Sequence, residues 1–503
     1  MNVLATGAFG YPNFGNESCV DILQSRFKNC RLDVQSRIDE SDLRLNQYDL
    51  TLLAGGGVLY HNVSEAGDSS LKYYLRYPAV AQWLGRKSMM LGVGTQGTIQ
   101  PQQLSEFRTV FDDLDVCTVR DSYSARVLRE SGIRSSVLEC ADLFYTKAIN
   151  PNLQRTRRIE HRIGKGKPVL GVVASQPGIG VLHPEYSGFE NRIVDALQLL
   201  EKTFRLHFFS FDTRSDTWLA ASAKSWCSSF DYTDFDRNRT DSIDEFIRAF
   251  ATVDAFITTR YHGVLLSTMM DTPFLAIGAP GEKLQRECEA VHYPNFLPYA
   301  SEVHRIVESA VDMWTARERL NPILQAGARQ RRRLALRNFE LLDSELAFSD
   351  RRGSKMIPQV AASIRQASSF RSLVVWAAGA ECWHEASMLF NQLPNFDCIL
   401  PPASGLRHRA IEQRFLLPNP GIFNWSAFPH HLKSRLQMKY DNVIVCHEGT
   451  ASKDRELLEI ASACGPRVWD FNVWKHSIRP VSEDDIHSQS PLRPRPETVE
   501  VHS

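Results

Sequence analysis

Paired cysteines are the first thing this chain lacks. Its ten cysteines stand at positions 19, 30, 117, 140, 227, 288, 382, 398, 446 and 464, and no two make a C-x-x-C pair. That spacing argues against zinc-finger and redox-motif readings and for buried, reduced thiols in a cytosolic protein. No charge of one sign dominates either. Lys plus Arg and Asp plus Glu both number 58, so whole-chain electrostatics give no case for nucleic acid as a partner. There is no uninterrupted apolar segment of membrane-spanning length. The N-terminus, Met1 to Gly7, has neither a basic region nor a long apolar one, so it reads as a first strand rather than a signal peptide. A strict G-x-G-x-x-G or phosphate-loop motif is also missing.

What is present fits a soluble α/β protein. The 503 residues exceed one core and suit two or three domains. Short apolar runs alternate with helical spacing along most of the chain, which predicts a doubly wound, mostly parallel sheet in each unit. The reading divides the chain into a Rossmann-like lobe over 1–150 and a second over 151–348. A linker over 349–369, a small α/β domain over 370–480 and a disordered tail over 481–503 follow.

The richest stretch is Asp254–Pro273. An apolar run ends in Thr258-Thr259, then Arg260-Tyr261-His262-Gly263, and a helical pattern follows as far as Pro273. Arg260 and His262 therefore sit where a strand hands over to a helix, the crevice in which open α/β sheets bind ligands. A guanidinium, an imidazole and a helix N-terminus together make an anion site.

Other strand ends carry related signals. The first strand runs into Gly7-Ala8-Phe9-Gly10-Tyr11-Pro12-Asn13-Phe14-Gly15-Asn16-Glu17, a glycine-rich loop at a helix start. Gly55-Gly56-Gly57 follows a buried strand, Gly92-Val93-Gly94 another, and Arg120-Asp121 a third. His447-Glu448 ends a strand in the C-terminal domain. A basic run from Arg317 to Arg337 predicts a solvated helix face, or a surface meeting anionic lipid headgroups or an acidic glycan.

In this order, these pieces resemble the polysaccharide pyruvyl transferase family. They are Asn13-Phe14-Gly15-Asn16-Glu17, Ala54-Gly55-Gly56-Gly57, Gly92-Val93-Gly94, Val119-Arg120-Asp121, Ala141-Asp142, and Arg260-Tyr261-His262-Gly263 with Pro273 and Lys283. The resemblance covers about residues 1–300 and leaves the C-terminal domain outside.

It implies two Rossmann-like lobes in a GT-B-like arrangement. It implies transfer of pyruvate from phosphoenolpyruvate onto two hydroxyls of one sugar in a polysaccharide or lipid-linked oligosaccharide, forming a cyclic ketal. Phosphoenolpyruvate is then the donor substrate, and neither cofactor nor metal is expected. By position, Arg120, Arg260, His262 and Lys283 would hold the donor, with His262 moving the proton because imidazole titrates near neutrality. Asn13, Gly15, Asn16 and Glu17, with Gly56 and Gly94, would line the site from the first lobe, the first group facing the acceptor. The chain departs from the family pattern at Asn16, where an acid is common, which leaves Glu17 as the base. The expected setting is cytoplasmic, with peripheral membrane contact through residues 317–337. The competing readings are a sugar-nucleotide glycosyltransferase of GT-B shape and a non-catalytic protein of exopolysaccharide assembly.

Overall fold

The computed structural model describes residues 1–347 except 36–46, 61–69, 84–85, 96–98, 106, 151–152, 154–165, 177–185 and 240–241. Beyond these it describes 372–376, 396–400, 411–416, 433, 436, 440, 442–447, 460–464, 467–472 and 477–480. The expected linker, the expected tail and Glu448 lie outside the described residues. The chain divides into two compact units, Met1–Gly353 and Ser354–Ser503.

The first unit holds two six-stranded parallel sheets. One comprises β1 (Asn2–Thr6), β2 (Arg31–Gln35), β3 (Leu50–Ala54), β4 (Lys87–Val93), β5 (Val116–Val119) and β6 (Val137–Glu139), in the order β2-β1-β3-β4-β5-β6. The other comprises β7 (Val169–Val173), β8 (Arg205–Ser210), β9 (Phe230–Asp234), β10 (Ala255–Thr258), β11 (Phe274–Gly278) and β12 (Phe296–Pro298), in the order β12-β11-β10-β7-β8-β9. The central strands β3, β7, β10 and β11 are buried along their whole length. That is why they read as continuous apolar runs. Edge strands β2 and β9 are polar and half-exposed, and neither shows as an apolar run.

The parallel pairing puts all strand carboxyl ends of a sheet on one edge. Both sheets reverse direction of growth at their first strand, β1 in one and β7 in the other, so each has a switch-point crevice there. Phe14 joins the two. It packs edge-on against Phe144 of the first sheet's side and against Phe211 and Phe235 of the second's. Its backbone N–H donates to the Phe211 carbonyl at 2.7 Å. One apolar cluster runs through both sheets.

The 31-residue helix Arg317–Ala347 then crosses from the second sheet back to the first. Lys87 Nζ, at the start of β4, reaches Glu345 Oε1 at 3.0 Å. Asn338, wholly buried, donates from Nδ2 to the Ala141 carbonyl at 3.1 Å. The basic run is therefore not a uniform solvated face. Arg319, Arg329, Arg332, Arg333 and Arg337 are exposed, but Arg331 points inward with only 2 % of its surface exposed.

The second unit contains one sheet in the order β15-β14-β13-β16-β17-β18, from β13 (Ser372–Trp376), β14 (Phe396–Leu400), β15 (Ile411–Leu416), β16 (Asn442–His447), β17 (Arg467–Asn472) and β18 (Ser477–Pro480). Its core is its own, built from residues such as Leu373, Ile399, Val443 and Val468. The nine described cysteines are all free, seven of them buried.

Candidate active site

The sequence around Arg260 builds its own strand-to-helix corner. The Thr258 hydroxyl accepts from the Arg260 N–H at 2.9 Å and donates to the Arg260 carbonyl at 3.1 Å. Arg260 is the N-cap of the helix Tyr261–Met269, and a Cβ on Gly263 would meet Thr258 Oγ1 at 2.2 Å. The corner folds this way only with a glycine there.

Arg260 does not wait empty-handed. Its Nε donates to Asp216 Oδ1 at 2.9 Å and Oδ2 at 3.0 Å, and its Nη2 to Asp216 Oδ1 and the Ser215 hydroxyl. Asp216 Oδ2 also accepts the N–H groups of Phe211 and Asp212 at 2.9 and 3.0 Å. The fork is thus held from one side by a buried carboxylate, and about a fifth of the side chain stays exposed (21 %).

Arg120 follows β5 and is 1 % exposed. Its Nη1 donates to Asp142 Oδ2 at 3.4 Å, and its guanidinium lies 4.3 Å over the Tyr261 ring. Nε and Nη2 are buried and make no hydrogen bond. Nε pairs with the Asp121 carboxylate at 3.7 Å, so Nη2 is the donor of this buried fork that an anion or water would satisfy. A Cβ on Gly94 would stand 2.2 Å from Arg120 Nε, so this glycine makes the space the arginine occupies.

His262 faces the same place. Its Nε2 is 3.9 Å from Asp142 Oδ1, its ring is edge-on to Phe144, and a Cβ on Gly15 would stand 2.0 Å from its Nδ1. Burial, with the charges of Arg120, Lys283 and Arg260 added and Asp142 opposing, pushes it down to about 4. That corrects the expectation of titration near neutrality: with these neighbours the imidazole is neutral at pH 7. Lys283 opens the helix Lys283–Ala290 and is half-buried. Burial and then the charges of Arg120 and Arg260 lower it to about 8. The four residues expected to hold the donor, from both sheets, thus lie close enough to act on one another electrostatically.

The first loop divides its labour. Asn13 is the N-cap of the helix Phe14–Arg26: Oδ1 accepts from the Gly15 and Asn16 N–H groups, while Nδ2 donates to Asp212 Oδ2 at 3.1 Å. Its amide is engaged on both ends, so its observed role is holding the loop to the second sheet rather than presenting a free group to a sugar. Asn16 is half-buried and lies beside Gly56, whose φ is +74°. Glu17 Oε1 accepts from the Gly10 N–H at 2.8 Å. Burial raises the Glu17 carboxyl, with the Gly10 N–H and Arg237 opposing. Gly10 and Pro12 line a cleft of about 510 Å³ with Thr213, Asp234, Arg237 and Asn238 from the second sheet's side.

Sequence reasoning gave no role to Asp142, Asp216, Tyr261, Glu287 or Arg331. The available signal was charge at core spacing. Glu287 lies three residues after Leu284 and next to Cys288, all buried. Arg331 and Asn338 fall in the buried stripe Leu324, Gly327, Ala335, Leu342.

No curated protein sequence matches the chain. Several solved structures are similar in backbone. A UDP-GlcNAc 2-epimerase from Neisseria meningitidis bound to UDP-GlcNAc is 11 % identical, with 68 % of this chain and 100 % of that one covered at a TM-score of 0.42. An Anabaena protein in complex with UDP and glucose is 12 % identical, with 73 % and 100 % covered at 0.40. A glycosyltransferase from Rickettsia africae is 10 % identical, with 69 % and 99 % covered at 0.42. No residue role is carried over from them. The sequence profile of one family, by contrast, matches residues 13–279, a span running from the Asn13 cap through the Arg260–His262 corner to the end of β11. The chain belongs to the polysaccharide pyruvyl transferase family.

Proposed function

We propose that the protein transfers pyruvate from phosphoenolpyruvate to two hydroxyls of one sugar, forming a cyclic ketal on a polysaccharide or lipid-linked oligosaccharide. The observation that carries this is the buried Arg120 fork, whose Nη2 has no hydrogen-bond partner, beside His262, Lys283 and Arg260. A donor with a phosphate and a carboxylate close together needs several cations, with arginine supplying bidentate contact.

The acceptor lies in the cleft bounded by Gly10, Pro12 and Asp234–Asn238, with Glu17 at its edge. A carboxyl raised by burial suits Glu17 to taking a hydroxyl proton. The chemistry balances as follows. A proton reaches C3 of the enol, and the first sugar oxygen bonds to C2, so one O–H adds across the double bond. The C2–O bond to phosphate then breaks, phosphate leaves toward Arg120 and Lys283, and the second hydroxyl closes the ring while its proton departs with phosphate. His262 serves the proton step. Its proton affinity is low because it is buried and because three cations face it, and a bound dianion offsets the cations and raises it.

The test is acceptor-dependent release of inorganic phosphate from phosphoenolpyruvate by purified protein, using a panel of lipid-linked oligosaccharides, with the ketal identified by mass spectrometry. A requirement for a sugar nucleotide in place of phosphoenolpyruvate would overturn the reading. His262→Ala is expected to abolish turnover with the fold intact.

A further inference from the structure

The buried ion pair Glu287–Arg331 lies outside the stretch that the family profile matches. Both of its residues are 2 % exposed, and both carboxylate oxygens of Glu287 are taken up by protein donors. Yet its hydrogen bonds converge on the donor arginine. Arg331 Nε donates to Glu287 Oε1 and Nη2 to Oε2, each at 2.9 Å. The same Nη2 donates to the backbone carbonyl of Arg120 at 2.9 Å. Glu287 also accepts the Tyr145 hydroxyl at 2.8 Å and the Tyr261 hydroxyl at 3.0 Å. The Tyr261 ring is the one lying under the Arg120 guanidinium.

Arg120 is therefore gripped twice through one ion pair, at its carbonyl and beneath its fork. The grip spans both sheets: Tyr145 and Arg120 belong to the first, Tyr261 and Glu287 to the second, and Arg331 to the crossing helix. The carboxylate accepts four hydrogen bonds, two at each oxygen. A guanidinium held this tightly needs little ordering when an anion arrives, which is how a rigid site gains affinity.

We propose that Glu287 and Arg331 are positioning residues for the donor site. They fix Arg120 so that its Nη2 presents itself to the donor anion, and the crossing helix thereby couples lobe packing to donor affinity. This rests on the phosphoenolpyruvate reading above, and the test separates the two.

The telling variant is the double Glu287→Gln, Arg331→Met. Removing one partner alone leaves a buried unpaired charge and can unfold the protein; removing both charges together is far better tolerated. If the pair only stabilised the fold, the folded double variant would bind as wild type does. The expected result is a double variant with wild-type circular dichroism, and calorimetric affinity for phosphoenolpyruvate and for inorganic phosphate each weakened about tenfold or more. Tyr261→Phe keeps the ring and cuts only the hydroxyl link, and is expected to fold and to weaken both affinities by about threefold. Wild-type affinity in either folded variant would overturn the proposal. Wild-type protein that binds phosphate but not phosphoenolpyruvate would sink the donor reading while the positioning claim is still decided on phosphate. Wild-type protein that binds neither sinks both.

Discussion

Lys283 is mostly charged at pH 7 but loses its proton at about 8, because burial and two neighbouring arginines disfavour a third cation. The donor needs that cation. The expected pH profile of kcat/KM for phosphoenolpyruvate falls above about pH 8, and Lys283→Arg shifts the fall upward, since guanidinium stays protonated there. A profile flat to pH 10 would remove Lys283 from donor binding. His262 works in the other direction. Its folded value of about 4 is below the ordinary 6.5, so the unfolded chain takes up the proton first. Its contribution to stability is intact above pH 6.5 and is lost as pH falls from there toward 4. His262→Gln is expected to flatten that part of a melting-temperature profile, read by calorimetry across pH 4–7. Arg260→Lys is expected to cut turnover tenfold or more with little loss of stability, because one ammonium cannot hold Asp216 and a ligand at once. Turnover equal to wild type would show that Arg260 only anchors Asp216.

At the scale of elements, the corner at β10 was legible in the sequence because three independent signals coincide there: an apolar strand, a Thr-Thr-Arg step, and a helix led by a glycine. Buried parallel strands such as β7 and β11 were legible for the same reason, since both faces demand apolar side chains. The polar edge strands β2 and β9 were not, because their residues look like loop. The basic run from Arg317 to Arg337 is helical, as its sequence predicts, but it is not solvated throughout, since Arg331 is buried. A local run of arginines looks solvated, and only the register of the buried stripe shows that Arg331 and Asn338, seven residues apart, share the face of Leu324 and Leu342. Glu287, the partner that makes Arg331 tolerable, lies 44 residues away, beyond any local pattern. Asn338 gives this helix a second anchor on the first sheet, through the Ala141 carbonyl and the Thr118 hydroxyl. Asn338→Leu would strand the buried Ala141 carbonyl and leave the Thr118 hydroxyl to the Met90 carbonyl and the Gly92 N–H, and is expected to cost about 1–3 kcal/mol in urea unfolding. A change under about 0.5 kcal/mol would show that the helix is held by its apolar stripe alone.

For the whole molecule, the position of the cores decides what can be removed. Every predicted donor residue, the 510 Å³ cleft, and the helix that ties the two sheets lie within Met1–Gly353. Within that unit one apolar cluster runs through both sheets. The third sheet closes a separate cluster around Leu373, Val443 and Val468, so none of its core residues completes the first. A protein ending at Gly353 is therefore expected to fold, to melt as one cooperative transition, and to bind phosphoenolpyruvate with the affinity of the full chain. Acceptor-dependent turnover in the shortened protein then assigns the role of residues 354–503. Turnover at the full rate confines the chemistry to the first unit. Full donor affinity with a raised acceptor KM makes the second unit part of acceptor capture. Loss of donor affinity in a folded Met1–Gly353 would contradict the placement of the donor site, because no group proposed to hold the donor lies beyond Arg331.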